Sequence, residues 1–293
     1  MNTRKKIIIT GGYGQLGQCL QKLQDQYSLN FDFQFLASAD LDITNLDDVE
    51  TFFAEAKPDF CINAAAYTAV DLAEKEEEKA YAVNSTGVEN LAIACKKVQA
   101  TLIHVSTDYV FDGETNISYD EDNFTNPIGV YGNSKREGEE KALEANPRTI
   151  IIRTSWLYSE FSKNFVKTML HLFKTRDELN VVADQYGQPT NANDLAEAIL
   201  KIVETPNPIY GIYHFSNYPE TSWFEFAKKI AEFSGSAVKI NPCTTEEYPT
   251  PAKRPKRSTM ALDKIEKNFS IDLQHWENSL ESCVAILEES DEK

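Results

Sequence analysis

The residues Ile7-Ile8-Ile9-Thr10-Gly11-Gly12-Tyr13-Gly14-Gln15-Leu16-Gly17 constrain the fold more than any other segment. An apolar strand runs straight into three glycines at GxxGxxG spacing, Gly11, Gly14 and Gly17, and a helical pattern starts near Gln15. Glycine permits a tight turn and lets backbone come close to a pyrophosphate. The helix N-terminus then adds N–H donors and partial positive charge. Glycines also collect in ordinary turns. Here the flanking strand and helix support dinucleotide binding.

The chain continues the same rhythm. Strands are predicted at Lys6–Thr10, Phe33–Ala37, Phe60–Ala64, Thr101–Val105 and Thr149–Arg153, with helical sequence between them. They read as unbroken apolar runs, as expected when both faces of a parallel sheet are covered. After about residue 155 the alternation loosens. Helices are predicted at Phe161–Lys174, at Ala192–Glu204, at Thr221–Phe233 with Thr221 as N-cap, and near Trp276. Pro242, Pro249, Pro251 and Pro255 mark an extended loop. The fold class is α/β, a Rossmann-type doubly wound parallel sheet with a smaller, partly interleaved C-terminal substrate domain. Its division is a dinucleotide-binding domain over residues 1–155, with returning segments at about 180–205, and a mainly substrate-binding domain over 156–293.

Composition narrows the partners. Hydrophobic residues make up 42% of the 293, enough for a sizeable core. The formal net charge of -17 argues against nucleic acid and anionic membranes, which need basic surface. An anionic substrate then needs local positive groups, and Lys253, Arg254, Lys256 and Arg257 are the obvious reserve. The five cysteines contain no CxxC and no zinc spacing, so a reduced, cytoplasmic protein is expected. Met1 to Lys6 runs into a strand without a signal-peptide apolar region, and no run reaches the roughly 18 residues of a membrane span.

Tyr131-Gly132-Asn133-Ser134-Lys135 is a YxxxK pair, which shares one face of a helix. A free tyrosine has a pKa near 10, so bringing it toward neutrality needs about 4 kcal/mol of phenolate stabilisation. A nearby ammonium, with a cationic nicotinamide, can supply much of that. Alone the pair could be a surface feature. Ser106-Thr107-Asp108-Tyr109-Val110-Phe111 strengthens it by placing a hydroxyl after the fourth strand, where ligands of such folds sit.

These residues resemble the extended short-chain dehydrogenase/reductase superfamily. With Asn63-Ala64-Ala65-Ala66-Tyr67-Thr68-Ala69-Val70-Asp71 and Asp184-Gln185-Tyr186-Gly187-Gln188-Pro189-Thr190, the chain resembles the dTDP-4-dehydrorhamnose reductase family from about Ile7 to Trp276. The resemblance implies NADPH- or NADH-dependent reduction of the C4 ketone of a sugar nucleotide, in the last step of dTDP-L-rhamnose synthesis. It implies Tyr131 as proton donor, Lys135 as ribose anchor and depressor of the tyrosine pKa, and Thr107 as tuner of proton transfer. Gly14, Gln15 and Leu16 would touch the pyrophosphate, and Asp42 and Ile43 the adenine end. Ala64, Ala65, Ala66 and Tyr67 would line the cofactor. Thr107 and Asp108 would contact the sugar, Trp156 would pack on substrate, and Arg254 would meet the diphosphate. Plainer alternatives are a turn acid for Asp42, a core residue for Trp156 and a solvated loop for Arg254.

Two family features are not matched. The second strand ends at Ala37 and Ser38 with neither a carboxylate nor an arginine, which leaves the choice between NADPH and NADH open. Acidic residues for a Mg²⁺-linked dimer have no counterpart by spacing, so a homodimer stays open and no metal is predicted. His104 is read as structural, His171, His214 and His275 as lacking metal spacing, Glu74–Lys79 as a solvated helix face and Trp223 as packing. Competing functions are an epimerase or dehydratase of the same superfamily, and a non-catalytic subunit like the one that binds a methionine adenosyltransferase. A dehydratase commonly carries Asp-Glu after the threonine; here Tyr109 follows Asp108.

Overall fold

The computed structural model describes residues 4–291, so Met1, Asn2 and Thr3 of the N-terminal reading lie outside the described residues. Strand β1 (Lys5–Thr10) buries its last four residues and leads into helix α1 (Gln15–Tyr27). Leu16, Cys19, Leu20 and Leu23 form the buried stripe of α1, at the spacing of a helix face. There follow β2 (Phe31–Leu36), α2 (Leu46–Ala56), β3 (Phe60–Asn63), the short α3 (Val70–Ala73) and α4 (Glu77–Tyr81), and α5 (Gly87–Val98). Then come β4 (Thr101–Thr107), α6 (Val130–Ala145) and β5 (Thr149–Thr154). The later half holds β6 (Leu157–Tyr158), α7 (Phe165–Phe173), β7 (Glu178–Val182), β8 (Tyr186–Gly187), β9 (Thr190–Asn191) and α8 (Ala192–Glu204). It ends with β10 (Gly211–His214), β11 (Thr221–Ser222), α9 (Trp223–Phe233), β12 (Lys239–Cys243), α10 (Asp263–Phe269) and α11 (Trp276–Asp291).

Six strands form one parallel sheet in the order β10-β5-β4-β3-β1-β2. Strand alternation sends Ile7, Ile9, Ile62, Ile103 and Ile152 to a core shared with α1, α8 and α10. The intervening Ile8, Cys61, Leu102 and Ile151 pack on α2, α5 and α6. Both faces are covered, which is why these strands read as continuous apolar runs. From β1 the chain steps outward to β2 and then returns to the other side of β1 as β3. That reversal opens a crevice at the carboxyl ends of β1 and β3. A third core joins Val166 and Met169 of α7, Phe226 and Ile230 of α9, and Trp276, Leu280 and Val284 of α11.

Several boundaries differ from the sequence reading. The second strand begins at Phe31, not Phe33. The fourth continues to Thr107, so Ser106 and Thr107 end the strand instead of following it. The helix expected from Phe161 starts at Phe165, because the Asn164 side chain accepts from Lys167 N and caps it there. Ser222, not Thr221, caps α9 by accepting from Glu225 N, while Thr221 pairs with Gly187. Pro242 lies in β12, not in a loop; the two-stranded sheet with β7 leaves it an edge where a missing N–H costs nothing. Helix α10 and strand β10 were not anticipated. No helix among the described residues is long and apolar enough to cross a membrane.

Candidate active site

Gly11 follows β1 with φ at +66°. A Cβ there would lie 2.5 Å from Ala65 N and 2.6 Å from Ala64 C, so the turn and the Ala64–Ala66 segment can approach only because Gly11 has none. Gly17 lies so close to the carbonyls of Gly11 and Gly12 that any side chain would collide with them. Gly14 caps α1 without a side chain, and the first helical bond runs from Gln18 N to Gly14 O at 3.0 Å. The amides of Gln15, Leu16 and Gly17 therefore precede the helical ladder, a donor set that suits a diphosphate. The Gln15 side chain itself is committed elsewhere: it donates to Leu157 O at 3.2 Å and accepts from Asn164 at 2.9 Å. The cradle fits a dinucleotide through its backbone.

Past the loop, the Asp42 carboxylate accepts from Thr44 N at 2.9 Å and Thr44 Oγ1 at 2.8 Å, so it closes its own turn. Ile43 is buried beneath Gly87. After β2, Ala37 N donates to Asp40 at 2.8 Å and Ser38 is exposed. Ala64, Ala65, Ala66 and Tyr67 are half-buried at the end of β3. Asn84 holds Tyr67 by both backbone groups, at 2.8 and 3.0 Å.

Tyr131 and Lys135 project from one face of α6. Gly132 packs under the Tyr109 carbonyl and lets the helix lie close to the end of β4. The rings of Tyr109 and Tyr131 meet edge-on at 5.6 Å. Burial pushes the Tyr131 hydroxyl up to about 12, a hydrogen bond with Thr107 pulls it down, and the Asp108 carboxylate pushes it further up. The Lys135 amine donates to Val105 O at 2.7 Å and lies 3.3 Å from His104 Nε2. Burial lowers Lys135 to about 8, against the opposing pull of Glu139. A tyrosine with so high a pKa keeps its proton at neutral pH, as a proton donor requires.

Thr107 Oγ1 donates to Asp108 at 3.0 Å and accepts from Tyr109 N at 3.2 Å. Asp108 is buried and also accepts from Ser258 Oγ at 2.5 Å. Burial raises its carboxyl to about 6, even though Ser258 and Thr107 oppose the shift. Arg254 pairs with Asp71 at 2.8 Å and interacts with Tyr109. It therefore adjoins the tyrosine pair and is not a freely solvated side chain. Trp156, at φ +47°, stacks on Trp223 with centroids 3.6 Å apart. One face of Trp156 is thus occupied by protein, and Trp223 serves the packing expected of it.

A sequence profile for the RmlD substrate binding domain matches residues 5–289. The chain belongs to the RmlD substrate binding domain family. A dTDP-4-dehydrorhamnose reductase from Aggregatibacter actinomycetemcomitans is 44% identical over 295 residues, covering 97% of this chain and 99% of that protein. The crystal structure of a dTDP-4-dehydrorhamnose reductase from Clostridium acetobutylicum superposes with a TM-score of 0.93 at 44% identity, covering 97% and 99%. That of the Bacillus anthracis reductase in complex with NADP gives 0.93 at 42%, covering 97% and 100%.

Within this RmlD-type chain, several residues at the site escaped the sequence reading. Glu74 accepts from Val130 N at 2.9 Å, placing a carboxylate at the N-terminus of α6. Glu76 accepts from the Tyr67 hydroxyl at 2.9 Å. The run Glu74–Lys79 is therefore more than a solvated face. Asn84, Glu139 and Arg153 also support the site, as does His104, which the sequence reading took as structural. Their partners lie far away in sequence, and no local spacing signals such contacts. Glu139 alone had a signal, since Tyr131, Lys135 and Glu139 recur every four residues on one face.

Proposed function

We propose that the chain is an NAD(P)H-dependent dTDP-4-dehydrorhamnose reductase, which converts dTDP-4-dehydro-L-rhamnose to dTDP-L-rhamnose. The observation carrying this reading is the grouping of Thr107, Tyr131 and Lys135 beside the glycine cradle, in a chain related over nearly its whole length to such reductases. Gly11, Gly14, Gln15, Leu16 and Gly17 hold the cofactor pyrophosphate by backbone, and Ala64 to Tyr67 flank it. Asp42 and Ile43 shape the adenine end. Bound reduced nicotinamide supplies the hydride. Tyr131 gives its proton to the oxygen developing at C4, and Thr107 hydrogen-bonds that oxygen. Lys135 anchors the ribose. Asp108 contacts the sugar, Trp156 packs on the substrate, and Arg254 meets the diphosphate in exchange for Asp71.

The division into a cofactor part, 1–155 with 180–205 returning, and a substrate part, 156–293, belongs to the same reading. Strand β10 adds a further returning segment to the sheet. So do a cytoplasmic setting, supported by five free cysteines, and a homodimer, which light scattering would test. Tyr109 after Asp108 argues against a dehydratase, and the complete Thr107, Tyr131, Lys135 set against a non-catalytic subunit.

The test is oxidation of NADPH or NADH in stoichiometry with dTDP-4-dehydrorhamnose. Tyr131→Phe should lower turnover by about 10²–10⁴, the usual worth of general acid catalysis. Near wild-type turnover in that variant would remove Tyr131 from the mechanism.

A further inference from the structure

One carboxylate fastens the strap at residues 250–256 to the first half of the chain. Asp71, in α3, accepts from Ala252 N at 3.2 Å through one oxygen and from Arg254 Nη2 at 2.8 Å through the other. The strap folds round this contact. Arg254 Nη1 donates to Thr250 Oγ1 and, at 3.3 Å, to Ala252 O, which also accepts from Thr250 Oγ1 at 2.9 Å. The guanidinium bonds to the Tyr109 hydroxyl as well, and the Tyr109 ring meets that of Tyr131. Only 22% of the Arg254 side chain is exposed, against 43% of Asp71.

A guanidinium so placed beside the tyrosine pair suits an anion, and Asp71 supplies one from within. The Arg254 hydrogen bond above all holds the Asp71 carboxyl below the ordinary carboxylate range, so it is ionised at neutral pH. A carboxylate and a phosphate offer the same paired oxygens to an arginine fork. We propose that Asp71 is a specificity-determining residue for the phosphate end of the substrate: an internal carboxylate that occupies Arg254 until the incoming diphosphate displaces it. Ala252 N gives Asp71 a second hold, so Arg254 exchanges partners while the strap stays fastened. This role rests on the reductase reading, which makes Arg254 the diphosphate contact.

The exchange has two consequences. Arg254, largely withdrawn from water, keeps a countercharge before and after the diphosphate arrives, so neither state leaves it unpaired. The affinity for a diphosphate is then the difference between two ion pairs, and the diphosphate-bearing product is held less tightly than a free arginine would hold it. A ligand without phosphate takes no part in the exchange. The neighbouring carboxylate, Glu74, does not compete, because it accepts from Val130 N at 2.9 Å.

Isothermal titration calorimetry with dTDP and with thymidine tests it without turnover. Asp71→Asn keeps an oxygen for Ala252 N and turns an amide toward Arg254, which releases the guanidinium. Its dTDP affinity should rise about two- to fivefold, the worth of a half-exposed ion pair. Its thymidine affinity should not change. In the Arg254→Met background, or Arg254→Gln if that variant does not fold, the same change at Asp71 should leave dTDP affinity where it was, because no pair remains to exchange. Unchanged or weaker dTDP binding in folded Asp71→Asn overturns the proposal, as does an equal gain for thymidine. A gain that persists without Arg254 also overturns it, since Asp71 would then act by plain repulsion of the ligand. Absence of dTDP binding by the wild type would reject the functional reading itself and the exchange with it.

Discussion

Glu139 and Arg153 meet as a bidentate ion pair with 3% of each side chain exposed, one helical turn beyond Lys135. Ser106 Oγ also donates to Glu139, and the Arg153 guanidinium lies 5.1 Å from the Phe111 ring centre. The pair ties α6, which carries Tyr131, to β4 and β5. Glu139→Gln leaves Arg153 buried without its countercharge, a loss of about 3–5 kcal/mol for pairs of this kind. Denaturant unfolding should show this, and Glu139→Leu/Arg153→Met should lose less than Arg153→Met with Glu139 intact. Equal losses in both would mean that the two charges are not coupled.

Gly11→Ala places a side chain at φ +66° and 2.5 Å from Ala65 N. The backbone conformation alone costs about 1–2 kcal/mol, and the collision forces the loop from the Ala64–Ala66 segment. NADPH affinity, followed by fluorescence titration, should fall at least about tenfold, since 1.4 kcal/mol corresponds to one decade. Unchanged affinity would show that the pyrophosphate does not use this turn.

Asp108 gives stability a defined pH dependence. Its folded pKa, about 6, lies above the ordinary 3.8, so the folded protein holds the proton more tightly than the unfolded chain. That stabilisation is fully present below about pH 4 and is lost as pH rises through about 6. Asp108→Asn removes the ionisation. Its stability relative to wild type should increase between pH 4 and pH 7, by about 3 kcal/mol at most. Activity should fall in the same variant if Asp108 contacts the sugar. Parallel stability–pH curves for the two proteins would contradict the burial effect.

Cofactor choice turns on the end of β2. Ala37 and Ser38 present neither carboxylate nor guanidinium, and Asp40 is engaged with Ala37 N. Ser38 can donate one bond to a 2′-phosphate, worth at most about 1.5–3 kcal/mol and less when exposed. The ratio of kcat/KM for NADPH and NADH should therefore lie within about tenfold. Ser38→Arg should shift it toward NADPH and Ala37→Asp toward NADH. A wild-type preference above about a hundredfold would place ribose recognition elsewhere.

The central strands of the first half were legible because two covered faces require apolar residues at successive positions, as Ile7-Ile8-Ile9 and Ile150-Ile151-Ile152 show. Strand β10 was not, because Gly211–His214 is short and carries a glycine and a histidine. Ser222 took the cap from Thr221 because pairing of Thr221 with Gly187 outweighed a local preference that both residues share.

The sequence by itself determined the glycine turn, the parallel sheet and the Tyr131/Lys135 face, since each follows from backbone sterics or from a period along the chain. Only the tertiary structure decided what those groups face. Lys135 meets His104 across 31 residues, Arg254 meets Asp71 across 183, and Asp108 meets Ser258 across 150. Such contacts leave no trace in local spacing, because burial and hydrogen-bond geometry act through space and ignore distance along the chain.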